Sequence, residues 1–187
     1  RLVDSRADVD ATVELFASLP WPQFERDTEY ISLRKPGEYA LIDGEIASSD
    51  GGSTSADDYR QATTEYLVPH PPATCTRHKR ESYMVGALAR FNNNYEYLHP
   101  RAKEAAARLG MAPKVTNPFL NSAAQVVEIV HCTEDSIEII DELLTRGIQP
   151  EKPVPPSRPA GEGVGLAEVP RGLLIHNYVI GEDGKMV

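Results

Sequence analysis

The chain has 187 residues, of which 41% are hydrophobic, and it carries a formal net charge of −9. This length predicts one domain or a large piece of one, with enough apolar residues to form a core. The acidic balance argues against binding to nucleic acid, and no apolar run approaches the roughly 18 residues that a membrane-spanning helix needs. We therefore expect a cytoplasmic protein that binds neither nucleic acid nor membrane.

The two cysteines, Cys75 and Cys132, do not belong to any Cys-x-x-Cys pair. A zinc or iron–sulfur site built from this chain alone is therefore not expected. A single disulfide and two reduced thiols both stay open, and the reduced pair is the favoured interpretation. The sequence begins at Arg1 rather than at a methionine, and its last residues resemble the start of a returning strand. We expect it to be a piece of a longer protein.

The first part of the sequence predicts one helix followed by strands. Apolar residues at helical spacing predict a helix over 9–19, which Pro20 ends. The next residues predict a small β-meander of three short strands: 29–33, 39–42 and 45–47. The Asp43–Gly44 pair is typical of a two-residue hairpin turn. This unit of a helix plus a β-meander ends with a polar loop and spans residues 1–55.

Residues 56–147 are predicted to be helical. Shorter helices are expected over 56–68 and 100–109. The longest element covers 118–146, where apolar residues recur at alternating spacings of four and three. It forms either one long helix or two helices kinked near Thr133. Its narrow apolar stripe needs partner helices, and we expect some of these to lie outside this sequence.

The C-terminal part predicts a linker followed by a hairpin. Prolines concentrate in the linker, which covers 148–162 and has no regular structure. The glycines over 161–165 predict a flexible entry into the next element. The hairpin covers 163–187, and its turn is expected at 181–184.

The hairpin segment also contains a stiff corner. Pro170 fixes its own φ, and Gly172 leaves the backbone free to bend. Between them lies Arg171, whose guanidinium can hold a planar set of donors in a fixed direction. We interpret Arg171 as a residue aimed at a target. The alternative is a salt bridge from Arg171 to Glu168 or to another acid.

Other motifs in the sequence carry weaker signals. Glu128-x-x-His131 and Glu96-x-x-His99 resemble ligand pairs of di-iron carboxylate proteins, but only the first fits on one helix, and a solvated helix face is the favoured interpretation. Basic residues cluster over 74–81, either as an anion contact or, as we favour, as a solvated loop. Neither a Gly-x-Ser-x-Gly elbow nor a phosphate-binding glycine loop occurs.

Three segments carry a more specific signal: 39–51, 83–92, and 168–185 with its Glu-Val-Pro-Arg-Gly and Leu-Ile-His-Asn-Tyr motifs. Together, in this order, they resemble the large subunit of nickel–iron hydrogenases, most closely its cytoplasmic, cofactor-coupled branch. The resemblance spans most of the chain, from about Pro22 to Lys185. It implies that the chain belongs to a catalytic polypeptide that interconverts hydrogen with protons and electrons. It also implies a partner that receives the electrons, which is an iron–sulfur small subunit.

In that family the Pro-Arg-Gly corner lies over a nickel–iron centre with cyanide and carbon monoxide ligands. The resemblance therefore implies that Pro170 and Arg171 help to form the pocket for the cyanide ligands, with the guanidinium above the open position between the metals. The family's two Cys-x-x-Cys pairs and the glutamate beside the first pair are missing from this sequence. We expect no metal or cofactor in this chain, no hydrogen turnover by the chain alone, and self-association through surfaces left uncovered.

Two explanations for the missing ligands stay open. The sequence is the central part of a hydrogenase large subunit, or the full-length protein is a metal-free homologue that acts as a structural or partner-binding subunit. The residues from Arg171 to Tyr178 favour the first explanation. The fold class that we expect is α+β, with a long central helix, shorter helices, a small N-terminal β-meander and a C-terminal β-hairpin.

Overall fold

The structure is a computed structural model that describes residues 1–69, 74–155 and 160–187, so residues 156–159 of the predicted linker lie outside the described ranges. It is an α+β fold with a long central helix and a C-terminal hairpin, as predicted. The helices in the described ranges are α1 (Leu2–Ala17), α2 (Ala87–Asn94), α3 (Pro100–Arg108) and α4 (Asn121–Arg146). The strands are β1 (Glu29–Arg34), β2 (Glu45–Ser48), β3 (Ser53–Thr54), β4 (Thr64–Tyr66), β5 (Cys75–Arg77), β6 (Tyr83–Met84), β7 (Gly161–Val169) and β8 (Gly172–Ile180). None of the helices in the described part of the chain has the length and apolarity to span a bilayer.

α4 is one continuous helix, so the alternative of two helices kinked near Thr133 is wrong. The Thr133 hydroxyl donates to the carbonyl of Ile129 over 2.7 Å, which keeps this polar side chain bonded within the helix. Gly147 ends the helix with a φ of 78°, a conformation that favours glycine. α3 begins at Pro100, as predicted, because proline suits the first helical position.

The main core lies where α1, α2 and α3 pack on the first half of α4. Small side chains there let the helices approach closely, and several of them are fully buried: Ala102, Ala106, Ala123 and Ala124. The buried residues of α4 run from Ala123 to Glu134. Beyond Glu134 the apolar seam becomes exposed, with Ile140 43% and Leu144 73% accessible. The described residues therefore cover only the first half of the predicted seam.

A four-stranded sheet with the order β3-β2-β1-β6 forms beside this core. The strand predicted over 39–42 is wrong, because the Leu41 carbonyl accepts the N–H of Glu168 over 2.6 Å instead of pairing within the sheet. The two-residue turn at Asp43–Gly44 is wrong as well. Since the last residue of β1 pairs with the first residue of β2, the whole segment 35–44 forms the connection.

The helix predicted over 56–68 is wrong. A 3₁₀ turn forms at Tyr59–Gln61, and β4 follows it in an antiparallel pair with β5. Thr63 and Thr64 are β-branched, which weakens a helix and favours a strand once a partner strand is available. The segment 56–147 therefore contains β4, β5 and β6 in addition to its helices.

The C-terminal hairpin differs from the predicted one in its turn. β7 and β8 pair antiparallel along their full length, with Val169 opposite Gly172, so the turn is the Pro170–Arg171 pair. The glycine-rich entry is thus a strand, and β7 begins inside the predicted linker 148–162. The bend predicted at 181–184 also forms, and it brings the last residues of the chain back beside β8.

Candidate functional site

The Pro170–Arg171 turn packs against the junction between β6 and α2. A Cβ atom on Gly172, which has a φ of 145°, would lie 2.5 Å from Val85 Cγ2. A Cβ atom on Gly86, which has a φ of 87°, would lie 3.2 Å from the Arg171 carbonyl oxygen. Glycine is favoured at both positions because of the φ values and because of the short distances. The backbone of the turn therefore lies in close contact with the start of α2.

Arg90 of α2 fixes the same turn through hydrogen bonds, with a side chain that is 2% exposed. Its Nη1 donates to the Val169 carbonyl over 2.8 Å, and its Nη2 donates to the Pro170 carbonyl over 3.5 Å. The guanidinium also binds Glu128 of α4 with two bonds of 2.6 and 2.7 Å, and Glu168 of β7 over 2.8 Å. Burial opposes the charge, but the two carboxylates outweigh it and raise the pKa of Arg90.

Each of the two carboxylates has a further donor. The fully buried Glu168 side chain accepts the main-chain N–H of Leu33 over 2.7 Å. Burial raises the pKa of Glu168, whereas the Leu33 N–H and the Arg90 guanidinium favour its charged form. Glu128 accepts the hydroxyl of Tyr39 over 2.8 Å. Burial and the neighbouring carboxylate raise the pKa of Tyr39, which keeps its hydroxyl a donor. We name Tyr39, Arg90, Glu128 and Glu168 the Arg90 cluster.

The predicted site residues Pro170 and Arg171 both lie exposed at the tip of the hairpin. The alternative of a salt bridge between Arg171 and Glu168 is wrong, because the Glu168 carboxylate binds Arg90 and Leu33 instead. The Arg171 guanidinium has no ion-pair partner within the part of the chain that the structure describes. Its role at a metal centre stays a prediction.

The two Glu-x-x-His motifs serve the fold. Glu128 belongs to the Arg90 cluster, and His131 is 7% exposed, so the solvated helix face predicted for this pair is wrong. His131 Nδ1 accepts the main-chain N–H of His99 over 3.1 Å, and burial lowers the pKa of His131. Glu96 pairs with Arg34 over 2.5 Å, and the His99 side chain caps α3. Each motif residue is therefore bound to another part of the chain.

The basic segment that includes His78, Lys79 and Arg80 surrounds an internal carboxylate. Glu29, whose side chain is fully buried, forms hydrogen bonds of 2.6 Å with His78 Nδ1 and 2.5 Å with the Ser48 hydroxyl. It also accepts the main-chain N–H groups of Lys79 and Arg80. Burial opposes its charge, but these hydrogen bonds outweigh it and lower the pKa of Glu29. The segment is therefore neither a solvated loop nor a site for an external anion.

Comparison with known proteins identifies the relatives of this chain. The sulfhydrogenase 1 alpha subunit of Pyrococcus furiosus is 34% identical over 178 residues, which are 94% of this chain and 41% of that protein. This chain is a homologue of hydrogenase alpha subunits. A vhu subunit of the F420-non-reducing hydrogenase of Methanocaldococcus jannaschii is 29% identical over 175 residues, covering 86% of this chain and 41% of that protein. The chain matches no protein-family model.

The fold of the hydrogenase homologue agrees with these relatives. The crystal structure of an NAD+-reducing [NiFe]-hydrogenase in the H2-reduced state matches it with a TM-score of 0.73 and 25% sequence identity. The match covers 100% of this chain and 46% of the other chain. The chain therefore spans less than half the length of the relatives it matches. The resemblance to hydrogenases is confirmed at the level of their alpha subunits.

The described residues of the homologue do not fit the ligand set of a nickel–iron centre. The resemblance implies four cysteine ligands, whereas here Cys75 lies in β5 and Cys132 in α4, both as free thiols. Burial raises the pKa of Cys132, which disfavours the thiolate that binds metals. Within the described ranges, no group of three or more His, Cys, Asp or Glu side chains could hold a metal ion. The hairpin corner can offer such a centre charge and shape, but not ligands.

The Arg90 cluster was missed in the sequence. Arg90 stands inside the apolar run 83–91, and an arginine in such a run needs partners when it is buried. That signal alone predicts a buried ion pair. Its partners could not be chosen from local patterns, because Glu128 and Glu168 lie 38 and 78 positions away in the sequence.

Proposed function

We propose that this chain is part of the catalytic large subunit of a nickel–iron hydrogenase, an enzyme that interconverts hydrogen with protons and electrons. The observation that supports this function best is the hairpin corner, where buried contacts hold the backbone of Pro170 and Arg171 while the side chains stay exposed. An exposed guanidinium on a fixed backbone is suited to act on a group outside this chain.

In the proposed enzyme, Pro170 and Arg171 stand beside a nickel–iron centre that carries cyanide and carbon monoxide ligands. When bound, this centre supplies the chemistry of hydrogen cleavage, and its ligands come from residues outside this sequence. Arg171 contributes a permanent positive charge, and Pro170 contributes a rigid apolar wall. The proposed electron partner is an iron–sulfur small subunit, and the proposed location is the cytoplasm. Both rest on the family resemblance.

The test of this function uses the assembled hydrogenase that contains the chain. Arg171→Ala and Arg171→Lys are compared with Arg146→Lys, a control at an arginine whose side chain is 64% exposed in α4. We expect both Arg171 variants to lose hydrogen-dependent dye reduction by about 10²- to 10³-fold, the loss typical of one preorganised donor, with unchanged nickel and iron content. Wild-type rates in both Arg171 variants would refute the role.

A second measurement separates the enzyme from the metal-free alternative. In the purified assembly, we expect stoichiometric nickel and iron and hydrogen turnover. An assembly that forms with its partner subunits but contains neither metal would support a structural or partner-binding subunit instead. The 187-residue chain alone is expected to bind neither nickel nor iron stoichiometrically and to be inactive, because its described residues hold no suitable ligand set.

A further inference from the structure

The hairpin corner is held by hydrogen bonds as well as by close packing. Packing at Gly172 and Gly86 limits how near the turn lies to α2. It does not by itself set the direction of the peptide groups that lead into Arg171. The carbonyls of Val169 and Pro170 both accept N–H groups of Arg90, so these two peptide groups are fixed in direction as well.

The Arg90 guanidinium reaches five acceptors at once through its three nitrogen atoms. Two are the Glu128 oxygens, one is a Glu168 oxygen, and two are the main-chain carbonyls of the turn. A lysine ammonium could supply the charge but not this planar arrangement of donors. The contact pattern therefore depends on the geometry of arginine and not only on its charge.

The composition of the cluster argues for a positional role. One buried guanidinium is surrounded by two carboxylates, and each carboxylate also binds a donor from another element, Tyr39 or Leu33. Buried ion pairs contribute little net stability, and apolar replacements of similar volume often stabilise a protein as well. A stability role alone does not account for bonds to the two carbonyls beside Arg171.

We propose that Arg90 is the positioning residue for Arg171, held in place by Glu128 and Glu168. Arg90 aligns the peptide groups before Arg171 and so gives its guanidinium a fixed origin. The inference rests on the proposed function for its use in catalysis, since there the value of Arg171 depends on its place. The geometric part concerns this chain alone and can be tested without metal.

The first test measures motion of the corner in the full 187-residue chain by ¹⁵N relaxation of the backbone amides. In the wild type we expect Arg171 and Gly172 to have order parameters of about 0.85, the value of rigid backbone. Arg90→Lys keeps the charge but loses the planar donors, and it should lower both order parameters below about 0.6 while those of α3 and β1 stay unchanged. Arg34→Lys, at an arginine that pairs with Glu96 and does not contact the hairpin, is the matched control.

Glu128→Gln gives a second variant in case Arg90→Lys does not fold. It keeps the shape of the side chain but weakens its hold on Arg90, so we expect intermediate mobility at Arg171. An Arg171 amide that stays rigid in every folded cluster variant would overturn the inference. So would a loss of order that spreads evenly over the chain, since Arg90 would then support the fold in general.

The second test separates this inference from the proposed function. In the assembled hydrogenase, Arg90→Lys should lower kcat by about tenfold or more, as misplacement of a positioned group does, with KM for hydrogen and metal content unchanged. A mobile corner together with unchanged kcat in both the Arg90 and Arg171 variants would leave the positioning intact and refute the proposed function. Unchanged kcat in Arg90→Lys alone, with a large loss in Arg171→Ala, would overturn the use of Arg90 in catalysis.

Discussion

Replacing Gly172 by alanine tests how closely the hairpin corner must approach α2. The new Cβ atom would lie 2.5 Å from Val85 Cγ2 and 2.8 Å from Val85 Cβ, so the hairpin or the strand before α2 has to move. Overpacking of this kind costs about 1–3 kcal/mol. The φ of 145° adds about 1–2 kcal/mol for a residue with a side chain. We expect Gly172→Ala to lower the free energy of unfolding by about 2–5 kcal/mol.

Urea unfolding followed by circular dichroism measures this loss, with Gly163→Ala as the matched control. Gly163 lies in the same hairpin, and a Cβ atom there would have no neighbour within 4 Å. The control should stay within about 0.5 kcal/mol of the wild type or gain slightly from the reduced freedom of the unfolded chain. The same denaturant slope in both variants would show that only stability changed.

A double variant distinguishes the two causes of the expected loss. Val85→Ala removes the methyl group that Gly172→Ala would meet, so the combined variant should recover the overpacking part but not the backbone part. We expect a favourable coupling of about 1–2 kcal/mol between the two substitutions. If Gly172→Ala proves as stable as the wild type, or if Val85→Ala gives no recovery, the packing described for the corner is incorrect.

Three further predictions concern α4. Because burial lowers the pKa of His131, the unfolded chain binds a proton that the folded chain does not as the pH falls below about 6.5, so stability should decrease there; His131→Asn, which keeps an acceptor for His99, should flatten this decrease in pH-dependent unfolding curves. Val127→Ala should cost about 2 kcal/mol in chemical unfolding because Val127 is fully buried, whereas Leu144→Ala, at a residue 73% exposed, should change stability by less than about 0.5 kcal/mol. The isolated chain should self-associate in sedimentation experiments, and Ile140→Lys combined with Leu144→Lys should shift it toward the monomer, since these residues leave the apolar seam exposed.

Local signals predicted the elements whose ends are set by single residues. Pro100 starts α3 and Gly147 follows α4, because proline and glycine act through their own backbone preferences and need no distant partner. The length of α4 followed from its apolar spacing, although the exposure of its second half did not. Spacing records which residues share a face, but not whether another element covers it.

The errors fall where distant contacts decide the local conformation. Residues 39–42 have the composition of a strand, yet the Leu41 carbonyl binds the N–H of Glu168 and the Tyr39 hydroxyl binds Glu128. The glycine-rich start of β7 has little intrinsic preference for a strand, and it becomes one because β8 pairs with it. The corner was found because proline and glycine mark it locally, but its attachment through Arg90 involves residues far apart in the sequence.

The two halves of α4 separate the fixing of the corner from contact with other chains. The first half carries Glu128 and the buried valines, so it belongs to the core that holds Arg90 in place. The second half, beyond Glu134, carries Ile140 and Leu144 with much of their surface accessible. A partner that covers the second half would bury apolar area without touching the Arg90 cluster. Substitutions at Ile140 and Leu144 should therefore change association while the order parameter of Arg171 stays the same, and substitutions at Glu128 should do the reverse.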